Sequence, residues 1–184
     1  HPRAIQQMEA ASDCLDSTAG LVRAATAIAL HVQPSLRPHE VERTIAAYAD
    51  AVAARIPRIA RGPRPLPPQD VEIAMAHLHF VLFDEAGFTG NTAAYYDPRN
   101  SLLHDVLARR LGIPISLALV YKAVGELVGL RIHGVDTPLH FLVEVETGEP
   151  GGRPTGTHAV DGAAPLGDAG LPAAAPPGAG PPAL

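Results

Sequence analysis

The densest group of chemically capable side chains is Tyr95-Tyr96-Asp97-Pro98-Arg99-Asn100, which puts two aromatics, a carboxylate, a guanidinium and an amide in one short stretch. That is the composition of a recognition surface. A loop pinned to its own core by Tyr rings and Asn hydrogen bonds would use the same residues. The histidines carry less chemistry. His77 and His79 stand at i and i+2 of a helical pattern, and His158 and Asp161 differ by three along a strand pattern, so each pair splits between faces and no metal site is expected. Arg55, Arg58, Arg61 and Arg64 recur every third residue and would suit an anionic partner, but without interleaved aromatics a solvated linker is the simpler reading. The single cysteine, Cys14, sits beside Asp13 and Asp16, whose negative charge disfavours a reactive thiolate. One cysteine excludes an internal disulfide, a thiolate zinc site and a CxxC redox pair, and makes a reducing cytoplasm the expected compartment. No cofactor is implied.

The elements that must position these groups can be read from periodicity. Segments from about Asp16 to His31 and from Pro38 to Arg55 repeat apolar residues at helical spacing, with Val41, Ile45, Tyr48 and Val52 as the clearest stripe. Pro57 to Pro68 holds five prolines in twelve residues and reads as a linker. A third helix follows, with Asp70 as its expected cap, Val71, Met75, Leu78 and Leu82 along one face, and Gly87 as its stop. Its second stripe of Ile73, His77 and Phe80 suggests burial on two sides. After the Gly/Asn/Asp/Pro-dense loop from Gly87 to Asn100, Ser101 is placed to cap a short helix ending at Gly112. A long apolar helix then starts at Pro114 and runs through Ile115, Leu119, Ala123 and Leu127 to Gly129. Strand grammar takes over in Arg131 to Val135, Phe141 to Glu146 and His158 to Asp161. Helices followed by a small antiparallel sheet indicate an α+β fold.

Composition sets the outer limits. The chain has 184 residues and a formal charge of −5, which excludes a generally basic nucleic-acid binder. Four Phe, four Tyr and no Trp mean that the core must be mostly aliphatic. The apolar run Leu111 to Ile132 is long enough to cross a bilayer, but it carries Lys122, Glu126 and Arg131 and reads as buried in protein. No signal-peptide pattern follows His1. The stretch from Gly162 to Leu184 is almost entirely Ala, Pro and Gly and is expected to be a disordered tail. The organisation expected is an N-terminal helical region and Pro/Arg-rich linker over 1–66, a core over 67–161 packed with those helices as one domain, and the tail over 162–184.

A series of short motifs in one order carries a resemblance. They are Leu82-Phe83-Asp84-Glu85-Ala86-Gly87-Phe88, Gly90-Asn91, Tyr96-Asp97-Pro98-Arg99-Asn100-Ser101, Arg109-Arg110, Gly112-Ile113-Pro114-Ile115-Ser116-Leu117 and Pro138-Leu139-His140-Phe141-Leu142-Val143. The stretch Val71 to Asp161 resembles the bacterial SirB-type family of transglutaminase-like proteins, whose domain also occurs in some eukaryotic F-box proteins. It departs from that family at Leu111, usually basic, at Leu139, usually Gly, and at Asp161-Gly162-Ala163, usually Asp-Pro-Phe.

The resemblance implies a papain/transglutaminase-like core, a central helix packed on a small antiparallel sheet. In that superfamily a cysteine at the head of the central helix attacks a carbonyl, a strand histidine acts as base and an aspartate on the next strand orients it. His140, in His-Phe-Leu-Val-Glu-Val, and Asp161 match the last two. The superfamily's Gly-x-Cys stands about fifteen residues before the glycine that ends the helix, and counting back from Gly129 reaches Pro114. Proline has no nucleophilic group. Ser116 is the nearest hydroxyl, but two helical steps turn it about 200° from position 114.

The leading expectation is therefore a transglutaminase-like domain that lacks the nucleophile and works as a binding or regulatory module. Tyr96, Arg99, Asn100 and Ser101 are its ligand-binding candidates, and a protein or peptide is the expected partner, with neither nucleic acid nor membrane. The alternative is a hydrolase or acyltransferase in which His140 and Asp161 activate Ser116 or a water. Each candidate has a structural counterpart: a strand-fixing hydrogen bond for His140 with Asp161, and a first-turn hydroxyl bonded to helix backbone for Ser116.

Overall fold

The computed structural model describes residues 2–60, 65–137, 140–146 and 157–159, with the strand residues 135–137, 140–142 and 157–159 described by backbone alone. Helices come first: α1 (Pro2–Ser12), α2 (Thr18–Val32), α3 (Pro38–Arg55), the single turn α4 (Pro57–Ala60) and α5 (Pro68–His79), which continues as a π-helical turn over Phe80–Glu85. A two-residue strand β1 (Thr89–Gly90) and a 3₁₀ turn (Pro98–Asn100) lead to α6 (Leu103–Arg109), β2 (Leu111–Gly112) and the central helix α7 (Pro114–Val128). The chain then forms β3 (Ile132–Thr137), β4 (His140–Val145) and β5 (Thr157–Ala159), an antiparallel sheet in the order β3-β4-β5 with Gly134 opposite Val143 and Leu142 opposite Ala159. β1 and β2 pair in parallel. The fold is α+β, with helices dominating.

α7 organises the rest. Its apolar surface is wide enough to meet α2, α3, α5 and the β3/β4 face of the sheet, and Leu117, Val120, Val124 and Val128 on it are fully buried. They join Leu30, Val52, Leu78, Leu103 and Ile132 in a core that is aliphatic, as the scarcity of aromatics requires. Each such side chain contributes roughly 1.5–3 kcal/mol by leaving water. Gly125 lets α7 approach its neighbours closely, since a Cβ there would stand 2.4 Å from Ile132 Cδ1 and 3.0 Å from Leu78 Cδ2. Gly129, at φ +107°, ends the helix in the left-handed region that glycine tolerates.

Several expectations about element ends are corrected. α1 was not anticipated: its segment is polar on average, and it is held by small residues, Ala4 and Ala11, buried as it packs on α2. The proline-rich linker is anchored. Ile59 and Leu66 are buried in it, as is Ile56 just before it, and Leu66 donates its N–H to the Gly129 carbonyl. Asp70 does not cap α5. The Pro67-Pro68 pair starts the helix three residues earlier, which puts Asp70 at N3 with its buried carboxylate paired to Arg58. Ile73 and Phe80 are exposed, so α5 is buried on one side.

Ser101 does not cap α6 either: Leu102 holds that position, and Arg110, at φ +59°, ends the helix. Gly112 is used instead in β2, where a Cβ would come within 2.6 Å of Ser116 Oγ. Among the described residues no helix is long and apolar enough to cross a membrane.

Candidate functional site

The head of α7 is built by local rules and then locked by distant ones. Ile113 is the N-cap in extended backbone and Pro114 occupies N1, where its missing N–H and fixed φ cost nothing. Ser116, at N3, folds its hydroxyl back on the helix start: Oγ accepts from the Ile113 N–H at 3.1 Å and donates to the Asn100 carbonyl at 2.7 Å, with the Ile113 carbonyl at 3.0 Å. The residue is 7% exposed. Its hydroxyl thus serves helix backbone and the preceding loop.

Asn100 is fully buried and holds that loop together. Its Nδ2 donates to the carbonyls of Ala94 and Tyr95 at 2.7 and 3.0 Å, and its Oδ1 accepts from Asn91 Nδ2 at 3.0 Å. Asn91 in turn donates its backbone N–H to the Gly112 carbonyl. The candidate ligand contact Asn100 therefore has its amide spent inside the protein. Arg99 wraps Asp97 with three contacts of 2.8–3.1 Å, and Arg109 approaches the same carboxylate at 3.5 Å. The Arg99 hydrogen bonds hold the Asp97 carboxyl below the usual carboxylate range. The tyrosine rings do not pin the loop. Tyr95 and Tyr96 are exposed, edge to face at 5.4 Å, and Tyr96 is 93% exposed. Amides hold the loop, and its aromatics face water.

His140 takes the first position of β4, paired with Thr137 of β3. Its partner candidate Asp161 lies outside the described residues, as do Arg61 and Arg64. Arg55 and Arg58, the other members of the expected patch, are taken up by the chain's own acids: Arg55 pairs with Glu85 at 2.5 Å and lies over the Phe80 ring, and Arg58 pairs with Asp70. Cys14 sits in the turn between α1 and α2 with its thiol 3.5 Å from the Ala11 carbonyl. His79 packs against Phe83 at 4.8 Å. Among the described residues no group of three or more His, Cys, Asp or Glu side chains is placed to hold a metal.

Beside the α7 head lies a groove of about 450 Å³, bounded by α2, the start of α6, one face of α7 and the β3/β4 pair. Ser101, Ile115 and Ser116 line it, and Val143 of β4 closes it. The contribution of α2, through Leu21, Ala24, Ala25 and Ile28, was missed from sequence. Their spacing marks one helical face, but only packing shows that this face stays open, with Ile28 52% exposed. Lys122 was missed as well.

A family model described as "Transglutaminase-like superfamily" matches residues 39–163, which run from α3 past the sheet. The chain belongs to that superfamily. This transglutaminase-like chain is 35% identical over 130 residues to a UPF0162 protein of Xylella fastidiosa, covering 71% of this chain and 43% of that protein. It is 37% identical over 65 residues to a UPF0162 protein of Vibrio cholerae, covering 35% of this chain and 24% of the other. It is also 42% identical over 66 residues to F-box only protein 21 of Mus musculus, covering 36% and 10% respectively. The chain thus spans less than half the length of these relatives. No solved structure matches it. Counting back from Gly129 by the fifteen residues of the superfamily's Gly-x-Cys spacing reaches N1 of α7, and there the chain has Pro114.

Proposed function

We propose that this transglutaminase-like domain is a cytoplasmic binding or regulatory module that holds a ligand beside the head of α7 without turning it over. The observation that carries the reading is Pro114 at N1 of α7, with the neighbouring Ser116 hydroxyl engaged by Ile113 and Asn100. Attack on a carbonyl needs an activated thiol or hydroxyl within reach of its base. Proline supplies neither, and releasing Ser116 would leave the carbonyl of a fully buried residue without its donor. The open apolar groove lined by Ile115 and Val143 supports a binding role. Matches within proteins as different as the bacterial UPF0162 chains and F-box only protein 21 suit a module used in several settings.

The test is turnover. The full chain is incubated with glutamine-bearing peptides, with and without a primary amine, and ammonia release and amine incorporation are followed. The expected result is no rate above that of His140→Ala. Steady hydrolysis or acyl transfer that disappears in His140→Ala overturns the reading in favour of a hydrolase or acyltransferase.

A further inference from the structure

Taking the groove beside the α7 head as a binding site, the chemistry of its lining defines what it holds. Apart from Lys122 and two serines, the described residues of its walls are aliphatic or glycine, among them Leu21, Ile28, Leu103, Ile115 and Leu119. The Ser116 hydroxyl is already engaged. An extended peptide would bring a row of backbone N–H and C=O groups into walls with few partners to offer, at a desolvation cost for each one left unpaired. A small molecule with an apolar body avoids that cost, and about 450 Å³ is an ordinary volume for such a site.

Lys122 decides the charge of that molecule. Among the described residues it is the only charged one on the groove, and its ammonium bonds to Glu126 Oε1 at 2.5 Å and to the Ile132 carbonyl. An ammonium has three N–H donors, so those two acceptors, its partners among the described residues, leave one for a ligand. Because Glu126 already compensates the charge, Lys122 offers a ligand carboxylate little net attraction for the water it must shed, and a ligand ammonium would be repelled by Lys122. A carbonyl or hydroxyl oxygen takes the remaining N–H without either conflict. We propose that the groove binds a neutral, mainly aliphatic small molecule with a single hydrogen-bond acceptor, its oxygen on Lys122 and its chain between α2 and α7.

The experiment uses the full chain and the neutral fluorophore 6-propionyl-2-dimethylaminonaphthalene, which has an apolar body and one carbonyl. Its emission is expected to shift to the blue on binding, and 1-octanol is expected to displace it while octanoate and octylammonium do not at equal concentration. Ile115→Arg, at a residue 56% exposed, and Ala24→Phe fill the groove from two sides and are each expected to abolish the shift, with far-ultraviolet circular dichroism confirming the fold. Lys122→Met is expected to weaken octanol binding by about tenfold, the loss of one hydrogen bond. Glu126→Gln leaves the Lys122 charge uncompensated and is expected to turn the preference toward octanoate. Probe binding at the groove with octanoate competing as well as octanol in the unaltered chain overturns the proposed chemistry and leaves the groove as a binding site. No blue shift, or one that neither Ile115→Arg nor Ala24→Phe affects, overturns both.

Discussion

Replacing Ser116 with alanine separates a structural hydroxyl from a reactive one. The substitution removes one oxygen that caps the Ile113 N–H and supplies the Asn100 carbonyl with its donor. Loss of an N-terminal cap costs about 1 kcal/mol. The carbonyl left behind belongs to a residue with no solvent exposure, and an unsatisfied buried acceptor costs about 1–3 kcal/mol. Both effects pass through one atom and do not add fully, so a loss of about 2–3 kcal/mol is expected. For a chain of this size each kcal/mol moves Tm by about 2–4 °C, and Ser116→Ala should unfold about 4–12 °C below the unaltered protein. Thermal unfolding followed by circular dichroism measures it, with Ser101→Ala as control. Ser101 is exposed, and its loss should move Tm by less than about 2 °C. A Ser116→Ala transition inside that same margin would refute the reasoning, because a hydroxyl free to attack a substrate is removed at little cost to the fold.

Other parts of the structure make their own predictions. Gly125→Ala drives a Cβ to within 2.4 Å of the fully buried Ile132 and should lower stability in urea by about 1–2 kcal/mol, despite the better helix propensity of alanine; an unchanged midpoint would show that α7 and β3 are less closely packed than described. Arg58→Ala strands the buried Asp70 carboxylate and should cost about 1–2 kcal/mol, whereas Arg55→Ala, whose partner Glu85 is half exposed, should cost less than about 1; equal effects would contradict the burial of Asp70. Glu146 accepts from His133 and Arg131, and the His133 hydrogen bond, followed by that of Arg131, holds its carboxyl below the ordinary value. A depressed carboxylate contributes stability that is complete above its unfolded value and is lost as pH falls through its folded one. Carboxyl carbon shifts titrated by nuclear magnetic resonance should place its midpoint below that of exposed glutamates, and His133→Ala should raise it; a midpoint that stays put removes the pair.

Sequence alone determined whatever depends on near neighbours. Pro114, the apolar repeat through Leu119 and Ala123, and Gly129 define α7 because N1 geometry, side-chain period and the left-handed terminator all act within a turn or two of helix. Proline at the expected nucleophile position is likewise a fact of one residue, and the passage from helices to strands after Gly129 follows from the change of period. Element ends were less legible where two local signals competed. Ser101 and Gly112 have the composition of a cap and a stop, but Leu102 and Arg110 hold those places, because Gly112 is needed where β2 meets Ser116. Tertiary structure decided the site. The Ser116 hydroxyl finds its acceptor sixteen residues away, Arg58 its carboxylate twelve away, and the groove takes one wall from α2, more than a hundred residues before Val143 of β4 on its other side. Such partners are set by how α7 packs against the elements around it, and a hydrogen bond or an apolar wall needs placement to a fraction of an ångström that no local pattern encodes.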